Sequence, residues 1–291
     1  LGDVYKRQEM DSASLGVKKG FQTRFRKEKR GKSMSDLVRV AVDAMGGDYA
    51  PVEPVKGAIE AVNADERVKV QLVGQVDVIE KELQKYTYPK ERVEIVPATE
   101  IIETGEPPVN AIRHKKDSSI VVGMKKVRYG EADAFVSSGS TGAVLVGGQT
   151  IVGRIKGVER PPLAPLIPTK DGVSLLIDCG ANVDARPSHL VQFAMMGSIY
   201  MEHVVGIKNP RVGIVNIGVE EEKGNALVKE TYPLLKENPY INFVGSIEAR
   251  EIPNGAADVV VCEAFVGNVI LKLYEGCLLY TSPSPRDMRR S

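Results

Sequence analysis

Val38-Arg39-Val40-Ala41-Val42-Asp43-Ala44-Met45-Gly46-Gly47-Asp48-Tyr49-Ala50-Pro51 is the stretch that decides the fold. A β-branched apolar run stops at an acid and enters a turn built on two adjacent glycines. That is how a buried strand feeds a loop at a sheet edge. Residues without a Cβ let backbone N–H groups approach a ligand, and open α/β sheets place their sites at the carboxyl ends of strands. A plain tight turn uses the same two glycines, so the rest of the chain has to separate the two readings.

Working outward, the same run-and-turn pattern recurs. Val38–Val42, Val68–Val73, Val93–Val96, Ala134–Val136, Val173–Ile177, Val212–Val215, Ile241–Val244 and Val259–Val261 read as strands. Several are apolar on successive residues, as strands buried on both faces of a mainly parallel sheet must be. Amphipathic stretches between them predict helices over Val52–Asn63, Val76–Lys85, Ser118–Tyr129, Gly142–Val152, Pro187–Val205, Ala226–Glu237 and Gly267–Tyr274. Pro187 suits a first helical turn, with Arg186 or Ala185 as cap. Pro107-Pro108 and Pro161-Pro162 read as breaks, the second a candidate lobe boundary. Strand–helix alternation of this kind predicts a doubly wound α/β architecture, as one large domain or two joined lobes.

The ends of the chain read differently. One coding of Asp3-Val4-Tyr5-Lys6-Arg7-Gln8 has a reverse complement that, one frame over, encodes Cys277-Leu278-Leu279-Tyr280-Thr281-Ser282. Residues 1–8 and 277–291 are therefore expected to be linker-derived and are set aside from the fold. Residues 9–33 carry eight basic residues between Lys18 and Lys32 with little periodicity. They read as an unstructured leader ahead of Met34 rather than a nucleic-acid or membrane-surface arm. The expected organisation is a leader over 1–33, a core over 34–276 and a tail over 277–291.

Composition narrows the function. The whole chain of 291 residues has a formal net charge of +1, but over 34–276 there are 26 Lys and Arg against 33 Asp and Glu, a net of −7. An acidic core argues against a generic nucleic-acid binder. No apolar run reaches the roughly 18–20 residues needed to span a bilayer. Cys179 and Cys262 sit in apolar contexts at neither a CxxC nor a metal spacing, which predicts a reduced cytoplasmic protein without structural disulfides. Three unclustered histidines, His114, His189 and His203, make a zinc site improbable. The chain has no GxxxxGK[ST] loop, no GxGxxG after a strand, and no HExxH or GxSxG.

Polar residues collect instead at predicted strand ends: Asp43, Ser137-Ser138, Asp178, Asn216 and Glu263. Ser138-Gly139-Ser140-Thr141-Gly142 combines glycines, hydroxyls and a helix start, which together can hold an anion or provide an ordinary N-cap. Asp178-Cys179-Gly180-Ala181-Asn182 can hold a ligand or close an Asx turn. Cys179 reads as a small buried residue rather than a nucleophile. Lys223, in Asn216-Ile217-Gly218-Val219-Glu220-Glu221-Glu222-Lys223-Gly224-Asn225, is a phosphate partner, an acid/base or one charge of a solvated loop. Gly267-Asn268 opens the last helix.

These turns, in this order and spacing, resemble the bacterial phosphate acyltransferase family from about Val38 to Gly276, including Arg154-Ile155-Lys156-Gly157 and His189-Leu190-Val191-Gln192-Phe193. The resemblance implies a three-layer αβα fold similar to isopropylmalate dehydrogenases and phosphotransacetylases, and a homodimer working without metal or nucleotide cofactor. It implies transfer of a fatty acyl group from acyl carrier protein to inorganic phosphate. The acyl-phosphate would pass to a membrane glycerol-3-phosphate acyltransferase for phospholipid synthesis.

On that reading Gly46, Gly47, Asp48 and Ser138 through Gly142 bind phosphate or the oxyanion. Lys223 orients phosphate and protonates the departing thiolate. Asp43, Asp178, Asn182, Asn216, Gly218, Glu220, Gly224, Asn225 and Asn268 shape the pocket. Arg113-His114-Lys115-Lys116, Lys125-Lys126-Val127-Arg128 and Arg154-Ile155-Lys156 are candidates for docking an acidic carrier, or solvated helix faces. Family members continue beyond Gly276 with a helical pair, so weak activity is expected of this chain. The rival readings are a phosphotransacetylase acting on acyl-CoA and a non-catalytic module that binds the carrier or a phosphorylated ligand.

Overall fold

The computed structural model describes residues 37–281, with side chains to Cys277. The expected leader and the end of the tail lie outside the described residues. Those described fall into two compact units, one ending at Arg154 and one beginning at Ile155. The division comes six residues before the Pro161-Pro162 break.

The first unit has four parallel strands in the order β3-β2-β1-β4: β1 Val38–Asp43, β2 Val68–Gly74, β3 Val93–Pro97 and β4 Ala134–Val136. The continuous apolar runs arise because successive residues serve opposite faces. Val70 and Leu72 pack with Val55, Ile59 and Val62 of helix α1 (Val52–Ala64) and Ile79 and Leu83 of α2 (Val76–Leu83). Ala41 and Val73 face the other way, toward Val122 and Val127 of α4 (Ser119–Arg128). Helices on both faces make three layers, the architecture the alternation predicts.

A short helix, α3 (Pro108–His114), stands where Pro107-Pro108 reads as a break. Proline at the first helical position loses only an N–H that has no helical partner, so this proline pair starts a helix. Helix α5 (Thr141–Gly147) then passes into a π turn over Gly148–Val152, within the single helix predicted there.

The second unit has five strands in the order β5-β6-β9-β7-β8: β5 Leu166–Thr169, β6 Gly172–Ile177, β7 Arg211–Val215, β8 Asn242–Ile247 and β9 Val259–Val261. All pairs are parallel except β5–β6. Strand β5 is not among the predicted ones. It is short, carries Pro168 and lies on an edge, where a missing N–H is tolerated. Leu175, Ile177, Val212, Ile214 and Val261 pack on one face with Phe193 of α6 (Pro187–Tyr200) and Leu235 of α7 (Ala226–Lys236). Leu176 and Val260 pack on the other with Val266, Ile270 and Leu271 of α8 (Ala264–Thr281). Each such fully buried side chain contributes about 1.5–3 kcal/mol relative to exposure.

Every residue from His189 to Ile199 is buried, so α6 is an interior helix with apolar residues all round. Arg186 is its N-cap and Pro187 its first residue, as predicted. Helix α8 begins three residues before the predicted Gly267 and runs past Gly276 to Thr281.

Gly267 fixes the seat of α8. A Cβ there would overlap the Asp178 carbonyl oxygen and lie 2.8 Å from the Cys179 Cα, both backbone atoms that cannot swing aside. Gly267→Ala is expected to destabilise the second unit by about 3 kcal/mol, the upper range for overpacking. Urea denaturation followed by circular dichroism measures it.

Candidate active site

In the first unit, parallel pairing of β1 with β4 in the register Val42↔Val136 brings Asp43 and Ser137 to the same sheet edge. Asp43 is 1% exposed. Its Oδ2 accepts the Ser137 hydroxyl at 2.7 Å and its Oδ1 the Met45 N–H at 3.1 Å. Ser137 Oγ in turn accepts the Gly139 N–H at 3.0 Å. The Ser138 hydroxyl donates to the Gly46 carbonyl at 2.9 Å, tying the two glycine turns together directly.

The glycines answer to this packing. A Cβ on Gly46 would overlap the Asp43 carboxylate and stand 2.9 Å from the Gly139 nitrogen, and Gly47 has φ +98° beside Ser138. Among the described residues, the N–H groups of Gly46, Gly47 and Asp48 have no protein acceptor. Successive free N–H groups at such a turn form an anion-binding concavity.

The remaining predicted residues of this unit divide by role. Ser140 caps α5, accepting the Ala143 N–H at 3.3 Å. Gly142 lies under Pro108, where a Cβ would meet Cγ at 2.6 Å. Thr141 and Asp48 are exposed. Asp43, Ser140 and Gly142 are thus engaged in structure, while Thr141 is exposed and the Gly46 and Gly47 N–H groups have no acceptor among the described residues.

In the second unit, β6, β9 and β7 are neighbours, so the turns after them share one edge. Asp178 is fully buried. Its Oδ1 accepts the N–H groups of Leu163, Gly180 and Ala181 at 2.9, 3.2 and 3.1 Å. Its Oδ2 accepts the Asn182 N–H and Nδ2, both at 2.8 Å. Five donors exhaust the acceptor capacity of a carboxylate. Asn182 Nδ2 also donates to the Pro161 carbonyl at 3.1 Å, and Asn268 Nδ2 to that of Cys179 at 3.3 Å. Asp178 and Asn182 therefore form one buried network that sets the path of the loop, and the exposed Asn268 braces the same loop at the Cys179 carbonyl. Glu263 caps α8, accepting the Phe265 and Val266 N–H groups at 2.6 and 2.9 Å.

The turn after β7 holds the candidate lysine. Asn216 Nδ2 donates to the Lys223 carbonyl and to Ser246 Oγ, both at 3.1 Å. A Cβ on Gly224 would meet Asn216 Oδ1 at 2.5 Å, and one on Gly218 the Lys223 Cδ at 2.6 Å. Asn225 caps α7 through the Val228 N–H at 2.9 Å. Lys223 Nζ lies 2.9 and 2.8 Å from the two Glu220 carboxylate oxygens, and both side chains are about half exposed. The hydrogen bond with Glu220 raises the Lys223 pKa above its ordinary value, and the same bond lowers that of Glu220. Lys223 is an ammonium throughout the neutral range.

Burial pushes the Cys179 thiol up to about 12, and that of Cys262 well above its ordinary value. Cys179 is a buried packing residue, as the sequence reading has it. The basic runs are largely engaged within the fold. Lys115 bonds Glu106 and the Ile101 carbonyl, Lys116 the Ile112 carbonyl, Lys126 Glu131, and Arg128 the Val152 carbonyl.

Sequence reasoning assigned no role to two arrangements. Ser137 stands out of place at a strand end, but nothing in the sequence says that Asp43 is its partner. Glu159 is clasped by Gln192, whose Oε1 accepts the Glu159 N–H at 2.9 Å, and by His189 Nε2 at 3.1 Å. His189 Nδ1 accepts the Arg186 N–H, which leaves Nε2 as the donor. A concavity of about 630 Å³ lined by Pro168, Pro253, Ile270, Leu273 and Tyr274 lies beside the β5–β6 turn, at the opposite end of β6 from Asp178, and contains none of these groups. Among the described residues no His, Cys, Asp and Glu cluster suited to a metal occurs, and no helix is long and apolar enough to cross a membrane.

Parallel α/β units with donor-rich turns at their strand ends define a fold shared with phosphotransacetylases. A phosphotransacetylase from Streptococcus pyogenes superposes with a TM-score of 0.63 at 16% identity, over 84% of this chain and 82% of that one. The EutD phosphotransacetylase from Staphylococcus aureus gives 0.61 at 17%, over 92% and 87%. Sequence comparison is more specific. The model of a family described as "Fatty acid synthesis protein" matches residues 38–282. A phosphate acyltransferase of Alkaliphilus oremlandii (strain OhILAs) is 56% identical over 240 residues, covering 82% of this chain and 71% of that protein. One of Clostridium kluyveri (strain NBRC 12016) is 53% identical over the same length. The chain belongs to the phosphate acyltransferase family, a family of acyl-transferring enzymes.

Two outcomes follow from this geometry. Asp178→Asn sets an amide NH2 against the donors of Asn182, and the chain is expected to lose about 3 kcal/mol of stability in urea denaturation. Alkylation of the native chain with iodoacetamide at pH 8 is expected to label the exposed Cys277 while sparing Cys179 and Cys262 until denaturant is added. Mass spectrometry of the labelled peptides reads the result.

Proposed function

We propose that the chain transfers a fatty acyl group from acyl-acyl carrier protein to inorganic phosphate. The observation that carries this reading is the pair of glycine turns at the ends of β1 and β4, with N–H groups at Gly46, Gly47 and Asp48 that have no acceptor among the described residues, in a chain of the phosphate acyltransferase family. A phosphate oxygen attacks the thioester carbonyl carbon, the tetrahedral oxyanion collapses, and the carbon–sulfur bond breaks to release the carrier thiolate. Holding phosphate in place converts an encounter into an oriented reaction, and fixed N–H dipoles stabilise charge as it develops. Gly46, Gly47, Asp48 and Thr141 are the groups assigned to the phosphate.

Lys223 supplies positive charge to the anionic reactants. Its pairing with Glu220 raises a pKa already above the roughly 8.5 of a thiol, so proton donation from Lys223 to the leaving thiolate is uphill. This supports an electrostatic role over an acid/base one. The acyl-phosphate is suited to consumption by a glycerol-3-phosphate acyltransferase in phospholipid synthesis, and we assign the protein to the cytoplasm as a homodimer.

The test is phosphate-dependent formation of acyl-phosphate from palmitoyl-carrier protein and from palmitoyl-CoA, with the Alkaliphilus oremlandii relative run in parallel. Turnover confined to the carrier protein is expected. Turnover with CoA alone points to phosphotransacetylase chemistry, and carrier binding without turnover in either protein points to a binding module. Lys223→Ala is expected to lower kcat about 10²-fold, the range for losing one electrostatic stabiliser. A rate within twofold of the parent would remove Lys223 from the mechanism.

A further inference from the structure

We propose that Ser137 is a positioning residue for phosphate, acting through Asp43. The inference rests on the reading of the β1 and β4 turns as the phosphate site. The hydroxyl is used in both directions, since it accepts the Gly139 N–H at 3.0 Å and donates to Asp43 Oδ2 at 2.7 Å. One side chain thereby joins the backbone of the β4 turn to a carboxylate at the root of the β1 turn, and hydrogen bonds chained this way polarise one another.

Two consequences bear on an anion. The first is geometric. Asp43 also accepts the Met45 N–H and lies against Gly46, so fixing its carboxylate fixes the start of the turn that carries the Gly46, Gly47 and Asp48 N–H groups. The second is electrostatic. A buried carboxylate beside an anion site repels the anion, and a donor dipole aimed at its oxygen offsets part of that field; Ser137 supplies such a donor on the side toward the β4 turn. Ser138 makes a different link, to the Gly46 carbonyl, and touches neither oxygen of Asp43.

The experiment measures phosphate affinity of the full chain by calorimetry, and phosphate KM where turnover is seen, for Ser137→Ala, Ser137→Thr, Asp43→Asn and the Ser137→Ala/Asp43→Asn double variant. Ser118→Ala serves as the structural control. Ser118 is a fully buried cap in the same unit, donating to the Lys115 carbonyl at 2.8 Å, and its removal takes a comparable hydrogen bond from another place. Ser137→Ala is expected to weaken phosphate about tenfold while leaving the KM for the acyl donor within twofold, and Ser137→Thr to restore most of the loss. The double variant should be no worse than the poorer single one, because the two groups act as a unit. Ser118→Ala should lower the melting temperature similarly and leave phosphate affinity unchanged. Equal phosphate affinity in Ser137→Ala and the parent, with the parent binding phosphate, overturns the positioning role and spares the phosphate site. A parent chain that binds no phosphate overturns both.

Discussion

A buried carboxylate has to find donors, and in this molecule two such carboxylates shape everything near the sheet edges. Asp43 ends β1 and Asp178 directly follows β6, and both are withdrawn from solvent. An unpaired buried charge is far more costly than any single turn is stabilising, so the chain after each strand folds back to present N–H and O–H groups. At Asp178 the backbone meets the demand almost alone, through four N–H groups and one side-chain amide. At Asp43 one backbone N–H and the Ser137 hydroxyl meet it, and that hydroxyl comes from a different strand. The first arrangement makes a closed loop. The second joins two turns and leaves the Gly46 and Gly47 N–H groups without an acceptor among the described residues.

That contrast changes how the acids and amides of the chain are understood. Asp178, Asn182 and Asn268 look like ligands in a sequence because polar residues at strand ends attract that reading. The Asp178 carboxylate is filled by backbone N–H groups and Asn182, and Asn268 bonds the Cys179 carbonyl, so all three hold the loop. Asn216 does the same for the turn that carries Lys223. Among the described residues, the groups left with free hydrogen-bonding capacity are plainer ones, including the Gly46 and Gly47 N–H groups and the Thr141 hydroxyl. Lys223 differs from both sets, about half exposed and paired with Glu220, a contact weak enough in solvent to be exchanged for another anion.

Much of the architecture is legible in the sequence because burial on both faces of a parallel sheet leaves an unmistakable mark. Within β1 and β2, Ala41-Val42 and Leu72-Val73 are apolar on successive residues, and the structure sends those residues to opposite faces. Periodicity likewise finds α1, α4 and α7. What escapes is structure whose cause lies elsewhere in the chain. Strand β5 exists because β6 offers it an edge, and α3 exists because a proline pair that reads as a break serves as a helix start. Within the candidate site, the turns are legible from glycine and serine content. The division of labour among them is not, because the Ser137–Asp43 bond spans 94 residues of sequence.

The central claim is that the β1 and β4 turns hold an anion through backbone N–H groups positioned by buried side chains. Titration of inorganic phosphate into the ¹⁵N-labelled chain, followed by amide chemical shifts, tests it most directly. The account predicts saturable shifts concentrated at Gly46, Gly47, Asp48 and Thr141, with the amides of Gly180, Ala181 and Asn182 still because Asp178 already holds them. Shifts that leave the four residues untouched, or that appear only across the exposed lysines, would contradict it.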